Sequence, residues 1–238
     1  MKFFKTIYAF WMIFVFFSGF ILIFPWLILF HKIHKNIWNT YLYKAWSHIF
    51  YFLLGIPNPT RFVGSFSKNQ SYIFCANHFS YLDIATIAGI MKGDYAFVGK
   101  STIIKVPLFG YMFRKLHIPV DRDSKVAAAK AFLQMKKALT EGRSLIIFPE
   151  GGIFSENPPQ MVEFKDGAFK LAIETNTSIV PISLKWAWKV MPDNGKITLS
   201  WHKMESIVHA PIETTHLTMA DLPNLKTTVF ETIQKDLE

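Results

Sequence analysis

In Ile73-Phe74-Cys75-Ala76-Asn77-His78-Phe79-Ser80-Tyr81-Leu82-Asp83, an apolar run ends at Asn77-His78 and an aspartate follows five residues after the histidine. The run predicts a buried strand, and the sequence from Ile84 onward predicts a helix. His78 then sits on the strand-to-helix loop, with Asp83 near the helix N-terminus. The loop folds the two side chains together, and the helix dipole favours a negative carboxylate at Asp83. Asp83 in turn holds the imidazole of His78 in one tautomer, which makes a base with an orienter. No serine or cysteine nucleophile is needed if the substrate brings its own hydroxyl. On its own, the stretch fits equally well a histidine capping a helix with an aspartate nearby by chance.

The sequence on either side shifts that balance. Gly99-Lys100 and Lys105-Val106-Pro107-Leu108-Phe109-Gly110 lead to Ile118-Pro119-Val120-Asp121-Arg122. Then come Phe148-Pro149-Glu150-Gly151-Gly152, Phe164-Lys165-Asp166-Gly167-Ala168 and Ile179-Val180-Pro181-Ile182. This order resembles the glycerolipid acyltransferase family, and within it the 1-acylglycerol-3-phosphate acyltransferases. The blocks are similar to its NHxxxxD motif, its Gly…IPVDR segment, its FPEG block and its VP(I/V) strand. A lone HxxxxD is weak, but four blocks in order at domain-scale spacing are specific. The resemblance covers roughly residues 60 to 190.

Composition narrows the class. Hydrophobic residues are 51% of the 238 and aromatics 16%, too apolar for a disordered chain. The net charge of +9 suits an anionic partner. No nucleic-acid motif accompanies it, so the apolar excess points to a membrane bilayer and not to nucleic acid. Cys75, the single cysteine, has no intrachain disulfide partner and fits a reducing compartment.

Residues 6–30 carry no charged side chain, and Ile7 to Phe30 is long enough to cross a bilayer as a helix. The stretch is too long for a cleaved signal peptide and lacks an obvious small-residue cleavage site. Pro25 is expected to kink it near its end. In the next segment Asn36, Thr40, Lys44 and His48 form a polar stripe, while Ile37, Trp38, Tyr41, Leu42, Trp46, Ile49 and Phe50 form an apolar face. Trp and Tyr of this kind favour a membrane interface over an ordinary core-facing helix. Lys2 and Lys5 precede the first segment, and Lys32 and Lys35 follow it. A single span would put one pair outside, against the positive-inside tendency. A helical hairpin dipping into one leaflet keeps both pairs on the cytoplasmic face, so the hairpin is favoured and a true span stays open.

Gly55-Ile56-Pro57-Asn58-Pro59 is the expected linker, dividing a membrane-associated segment, 1–56, from an α/β domain, 57–238. Within the latter, strands are expected at 61–65, 71–76, 95–99, 117–120, 144–148, 179–185 and 196–201. Helices are expected at 125–141, with Ser124 as N-cap and Gly142 just past its end, at 165–175 and at about 218–236. The alternation predicts an α/β fold with a mostly parallel or mixed sheet covered by helices.

The resemblance implies the chemistry. His78 deprotonates the acceptor hydroxyl, which attacks an acyl thioester, and Asp83 orients and charge-stabilises the imidazole. The first backbone N–H groups of the helix after Phe79 are candidate oxyanion donors. Arg122, Lys100, Lys105 and Lys165 form the candidate anion-binding set, with arginine suited to two-point contact and lysine to point charge. For each of these the rival is a solvated basic face that touches anionic lipid. Glu150 and Gly151 organise a tight turn or the acceptor pocket, a plain strand-end turn being the rival.

The third block departs from the family's EGTR. The Thr position is Gly152 and the Arg position is Ile153, and no arginine follows Arg143. This bears on the acceptor headgroup more than on the reaction. The remaining histidines show no metal-ligand spacing, so no metal is expected, and no cofactor beyond the coenzyme A of a donor.

The implied activity is transfer of a fatty acyl group from acyl-CoA or acyl-carrier protein to the free hydroxyl of lysophosphatidic acid, giving phosphatidic acid. A lyso-aminolipid or glycerol-3-phosphate is the alternative acceptor. A non-catalytic lipid-binding membrane protein is the rival of another class, and the His78–Asp83 pair argues against it.

Overall fold

The computed structural model describes residues 2–34, 36–67, 70–193, 195 and 199–237. Two helices open the chain, α1 (Lys2–Lys32) and α2 (Asn36–Leu54). Pro25 lies inside α1 and does not end it. The pair is antiparallel, as its contacts show: Tyr8 OH donates to Leu54 O, Phe16 meets Trp46 and Phe50 edge-on, and His31 meets Asn36. Gly19 allows the close approach, because a β-carbon there would lie 2.8 Å from the Trp46 ring.

The α2 helix presents apolar side chains on both its sides. Its buried side carries Asn39, Thr40 and Ser47 beside Phe50, Tyr51 and Leu54. Thr40 donates to Gly93 O, Ser47 to Ala85 O and Tyr51 to Leu82 O. Its outer side exposes Ile37, Trp38, Tyr41, Ile49 and Phe52, the last 82% exposed. The outer face of α1 continues this surface with Phe10, Phe14, Phe17, Ile21 and Leu22. The α1 helix is long and apolar enough to cross a membrane by length and composition. Lys35 and the side chain of Lys2, two of the flanking lysines, lie outside the described residues.

Seven strands form one sheet: β1 (Thr60–Phe62), β2 (Ile73–Ala76), β3 (Tyr95–Lys100), β4 (Ile118–Val120), β5 (Ser144–Ile147), β6 (Ile179–Lys185) and β7 (Glu205–Val208). Their order is β1-β7-β6-β2-β5-β3-β4. The five from β6 to β4 are mutually parallel, while β7 is antiparallel to β6 and β1 is parallel to β7. The sheet is therefore mixed, within an α/β fold.

The remaining helices are α3 (Leu82–Ile90), α4 (Phe109–Leu116), α5 (Lys125–Thr140), α6 (Gly167–Thr175), the short α7 (Ala187–Val190) and α8 (Leu222–Leu237). They cover both faces. Ile73, Cys75, Leu145, Ile147 and Ile179 turn toward α5, α6 and α8, while Phe74, Ala76, Ile146, Val180 and Ile182 turn toward α3 and α4. Burial on both faces is why β2 reads as a continuous apolar run and not as an alternation.

One strand differs from the sequence expectation. Residues 196–198 of the expected strand 196–201 lie outside the described residues, and 199–201 are not strand. The last strand is Glu205–Val208 instead. The apolar residues of that stretch serve another purpose. Leu199 is buried against the helical pair, and Trp201 faces outward with its indole N–H on Gly55 O. The α4 helix, which the sequence left unassigned, packs against α1 through Phe20 and Phe24, which meet Phe109 and Tyr111.

Candidate active site

Parallel strands end together at one edge of a sheet, and ligands of such sheets bind beyond those carboxyl ends. The blocks singled out in the sequence lie along that edge in sheet order. His78 follows β2, Glu150 follows β5, Lys100 ends β3 and Arg122 follows β4. The register is direct: Cys75 pairs with Ile147, Ile147 with Val98, and Lys100 with Val120. Residues far apart in sequence thus end at one level.

One oxygen of Asp83 holds the turn. Its Oδ2 accepts from His78 Nδ1 at 3.0 Å and from the amides of Phe79 and Ser80, each at 2.8 Å. Asp83 is fully buried in the first turn of α3. A carboxylate that already takes two amide hydrogens takes the third from Nδ1–H, so the lone pair of His78 rests on Nε2. Nε2 makes no hydrogen bond among the described residues, and the His78 side chain retains 11% exposure. The imidazole stacks on Phe148 with centroids 4.0 Å apart and planes 17° apart, which fixes its plane.

Three of the amides expected as oxyanion donors have partners within the turn. Ser80 N–H is taken by Asp83, Leu82 N–H by Ser80 Oγ and Asp83 N–H by Ser80 O. Only the first of these bonds goes to the Asp83 carboxylate, and the other two close the turn on Ser80.

Glu150 is fully buried beneath the histidine. Its Oε1 accepts the His78 amide at 2.7 Å and its Oε2 accepts the Val162 amide at 3.1 Å. Burial pushes its carboxyl up to about 7, against the pull of these two amides. Gly151 has φ +92°, a conformation that favours glycine, and a β-carbon there would run into the Arg122 guanidinium. Arg122 Nη1 donates to Gly151 O, so the basic side chain is tied to the glutamate turn. At Gly152 the ring of Phe154 occupies the place a β-carbon would need, 2.8 Å from it. The departure from Thr at this position therefore has a steric counterpart.

The lysines stand differently. Lys100 ends β3 and Lys105 ends the 3₁₀ turn Ser101–Lys105, both exposed. Lys165 is exposed, and its amide donates to Pro149 O, which brings its segment against the glutamate turn. Among the described residues none of these three ammonium groups makes an ion pair. Arg122, Glu150 and Gly151 are joined to the His78 turn by hydrogen bonds, whereas Lys100, Lys105 and Lys165 are not.

Two contributors escaped the sequence reading. Phe148 is one, visible only once β5 lies beside β2. Asn77 is the other: its Nδ2 donates to Leu184 O and its Oδ1 accepts Leu184 N–H, extending the β2–β6 ladder by a side chain. A second Ser–His–Asp grouping, Ser183, His209 and Asp236, has both contacts on the same ring atom, Nε2. A ring so engaged cannot pass a proton from one partner to the other, and the group ties β6 to α8.

Residues 60–185 match the family model described as Acyltransferase. The chain is 26% identical over 189 residues to the chloroplastic 1-acyl-sn-glycerol-3-phosphate acyltransferase LPAT1 of Arabidopsis thaliana, covering 79% of this chain and 52% of that protein. It is 27% identical over 170 residues to the 1-acyl-sn-glycerol-3-phosphate acyltransferase of Haemophilus influenzae, covering 68% and 70%. The chain spans about half the length of the chloroplast relatives it matches. Its fold is similar to the crystal structure of the 1-acyl-sn-glycerophosphate (LPA) acyltransferase PlsC from Thermotoga maritima. The TM-score is 0.80 at 20% identity, over 99% of this chain and 95% of that one, a likeness of fold.

Proposed function

The chain belongs to the acyltransferase family, and on that premise we propose that it moves a fatty acyl group from acyl-CoA or acyl-carrier protein to the free hydroxyl of lysophosphatidic acid, giving phosphatidic acid. The names of the relatives support this acceptor. The observation that carries the chemistry is the His78–Asp83 pair, with Nδ1 engaged and Nε2 unengaged.

In the reaction, Nε2 takes the proton of the acceptor hydroxyl as its oxygen attacks the thioester carbonyl carbon. Asp83 stabilises the imidazolium that forms. The tetrahedral adduct collapses with loss of the carbon–sulfur bond, and the imidazolium returns the proton to the departing thiolate. Arg122 binds the acceptor phosphate, helped by Lys100, Lys105 and Lys165. Glu150 and Gly151 hold the turn that presents Arg122. The test is turnover of purified protein on a panel of acceptors, each with both donor types. Absence of acyl transfer to any lysophospholipid would refute the reading.

The acceptor has a second reading with its own observation. Gly152 and Ile153 stand where the family has Thr and Arg, so one phosphate ligand is missing. A lyso-aminolipid, which carries no phosphate monoester, is then the acceptor, with the same roles for His78 and Asp83; glycerol-3-phosphate is the other alternative acceptor, on which the missing ligand has no bearing. Direct competition between acceptors decides between them.

Residues 1–56 are the membrane-associated segment and 57–238 the acyltransferase domain. The outer face of α2 supports this, because its exposed aromatic and aliphatic side chains gain stability from lipid. The hairpin lies in the cytoplasmic leaflet with both ends on the cytoplasmic side. Reporter tags at the two termini should both read cytoplasm, and an external N-terminus would establish a single span.

A further inference from the structure

We propose that the segment after β6, centred on Trp186, is a second membrane contact that binds the anionic phosphate layer of the bilayer beside the active-site edge. Lys185, Lys189 and Lys203 bring their ammonium groups to 5.0, 6.0 and 5.1 Å from the Trp186 ring centre. Lys189 also lies 5.3 Å from the Trp188 ring. Three like charges gathered on one indole repel one another, and among the described residues none of them makes an ion pair. Glu205 stands opposite Lys185 in the β6–β7 register, yet no ion pair forms between them. A shared external anion relieves the repulsion.

The place of the cluster says which anion. Lys5, at the start of α1, donates to Ser200 Oγ, and the exposed Trp201 donates to Gly55 O at the end of α2. The cluster is therefore continuous with the helical pair whose outer face is apolar. Lys189 and Lys203 are exposed and Trp186 is half-buried. Lysines act as point charges and demand no fixed geometry, which suits a fluid headgroup layer better than one oriented ligand. Indoles at its edge suit the same depth.

The cluster is also joined to the chemistry. Leu184, two residues before Trp186, is clamped by Asn77, and Ser80 Oγ donates to Met191 O just after α7. Binding the phosphate layer here sets the carboxyl edge of the sheet against the bilayer that holds the lipid acceptor. This inference rests on the membrane placement proposed for α1 and α2.

The experiment lets full-length protein in detergent distribute between two vesicle populations. One is phosphatidylcholine, and the other is an equimolar mixture of phosphatidylcholine and phosphatidylglycerol. The apolar anchor contributes equally to both, so the ratio isolates the charge contribution. Each lysine at an anionic surface is worth about five-fold. Lys185→Gln/Lys189→Gln/Lys203→Gln should lower the preference for anionic vesicles by roughly ten- to a hundred-fold, and salt should weaken the wild-type preference. The arginine triple variant should keep it. Lys125→Gln/Lys130→Gln/Lys137→Gln, with the same change in net charge on α5, should lower it far less. Equal loss in both glutamine variants would overturn the proposal, as would no loss in the first. A rise in acyl-donor KM with vesicle preference unchanged would also overturn it, giving the site to substrate phosphate. If the triple variant does not fold, Lys189→Gln/Lys203→Gln, at two exposed positions, takes its place with a smaller expected loss. Failure of the wild type to bind neutral vesicles would count against the α1–α2 anchor alone.

Discussion

Replacing Glu150 with glutamine removes an ionisable group from beneath His78 while keeping the shape of the side chain. Desolvation pushes this carboxyl from 4.5 up to about 7, with the amides of His78 and Val162 pulling it down and Asp83 adding to the rise. Between those two pH values the unfolded chain has released a proton that the folded chain still holds. The folded state therefore loses stability as pH rises through this window; the contribution is full below pH 4.5 and gone above about 7. A shift from 4.5 to about 7 corresponds to about 3 kcal/mol. In Glu150→Gln the amide oxygen still accepts one backbone N–H, but the NH₂ cannot accept the other. The lost bond costs about 1–3 kcal/mol. The variant should thus be the less stable protein near pH 4.5 and should equal or exceed the wild type above pH 7. Denaturant unfolding of the full chain in detergent, followed by tryptophan fluorescence across this range, gives the difference curve. Two stability profiles that run parallel from pH 4.5 to 7 would refute the reasoning, because the proton held by the folded state could not then reside on Glu150.

Other outcomes follow from the same site. His78→Ala should lower turnover by roughly two to four orders of magnitude with the near-ultraviolet circular dichroism unchanged; near-wild-type turnover at saturating substrate would rule out His78 as the base. Asp83→Asn should lose a large part of the same rate, since three hydrogen bonds to a charged oxygen become bonds to a neutral one. If the acceptor is a phosphate monoester, Arg122→Ala should lower kcat/KM for it by roughly one to two orders of magnitude and leave the donor KM nearly unchanged, as steady-state kinetics with each substrate varied will show. Ile153→Arg should be neutral or should improve use of lysophosphatidate, and a clear loss would show that the turn at Gly152 runs differently from the family's.

The sequence carried the β2–α3 unit plainly, because a strand buried on both faces and a nearby acidic helix start leave strong local marks. Local marks also gave α5, whose Ser124 hydroxyl accepts from Ala127 N–H as a helix cap. The last strand was misplaced because Leu199 and Trp201 are apolar for the sake of the helical pair and not of the sheet. The four blocks were visible as residues, but their meeting depends on strand order. His78 reaches Glu150 only because β5 lies beside β2, a long-range pairing that no local pattern encodes. Asp83 captures nearby amides through hydrogen bonds whose direction depends on the folded turn. Of the polar stripe on α2, Thr40 is buried on Gly93 O, a contact that periodicity alone does not reveal.

The hydroxyls of α2 matter for any attempt to make a water-soluble fragment. Ser47 and Tyr51 bond the carbonyls of Ala85 and Leu82, and Tyr51 also meets Thr86 at 2.7 Å. Leu82 and Ala85 flank Asp83 and share a buried cluster with Phe50 and Leu54. Cutting the chain at the natural-looking boundary near Gly55 would therefore do more than release the enzyme from lipid. It would strip the cover from the helix that carries the aspartate and expose Leu82 and Ala85 to water. The proposed anchor and the proposed catalytic turn share a wall here, and a fragment that dissolves freely should be one whose histidine is no longer held.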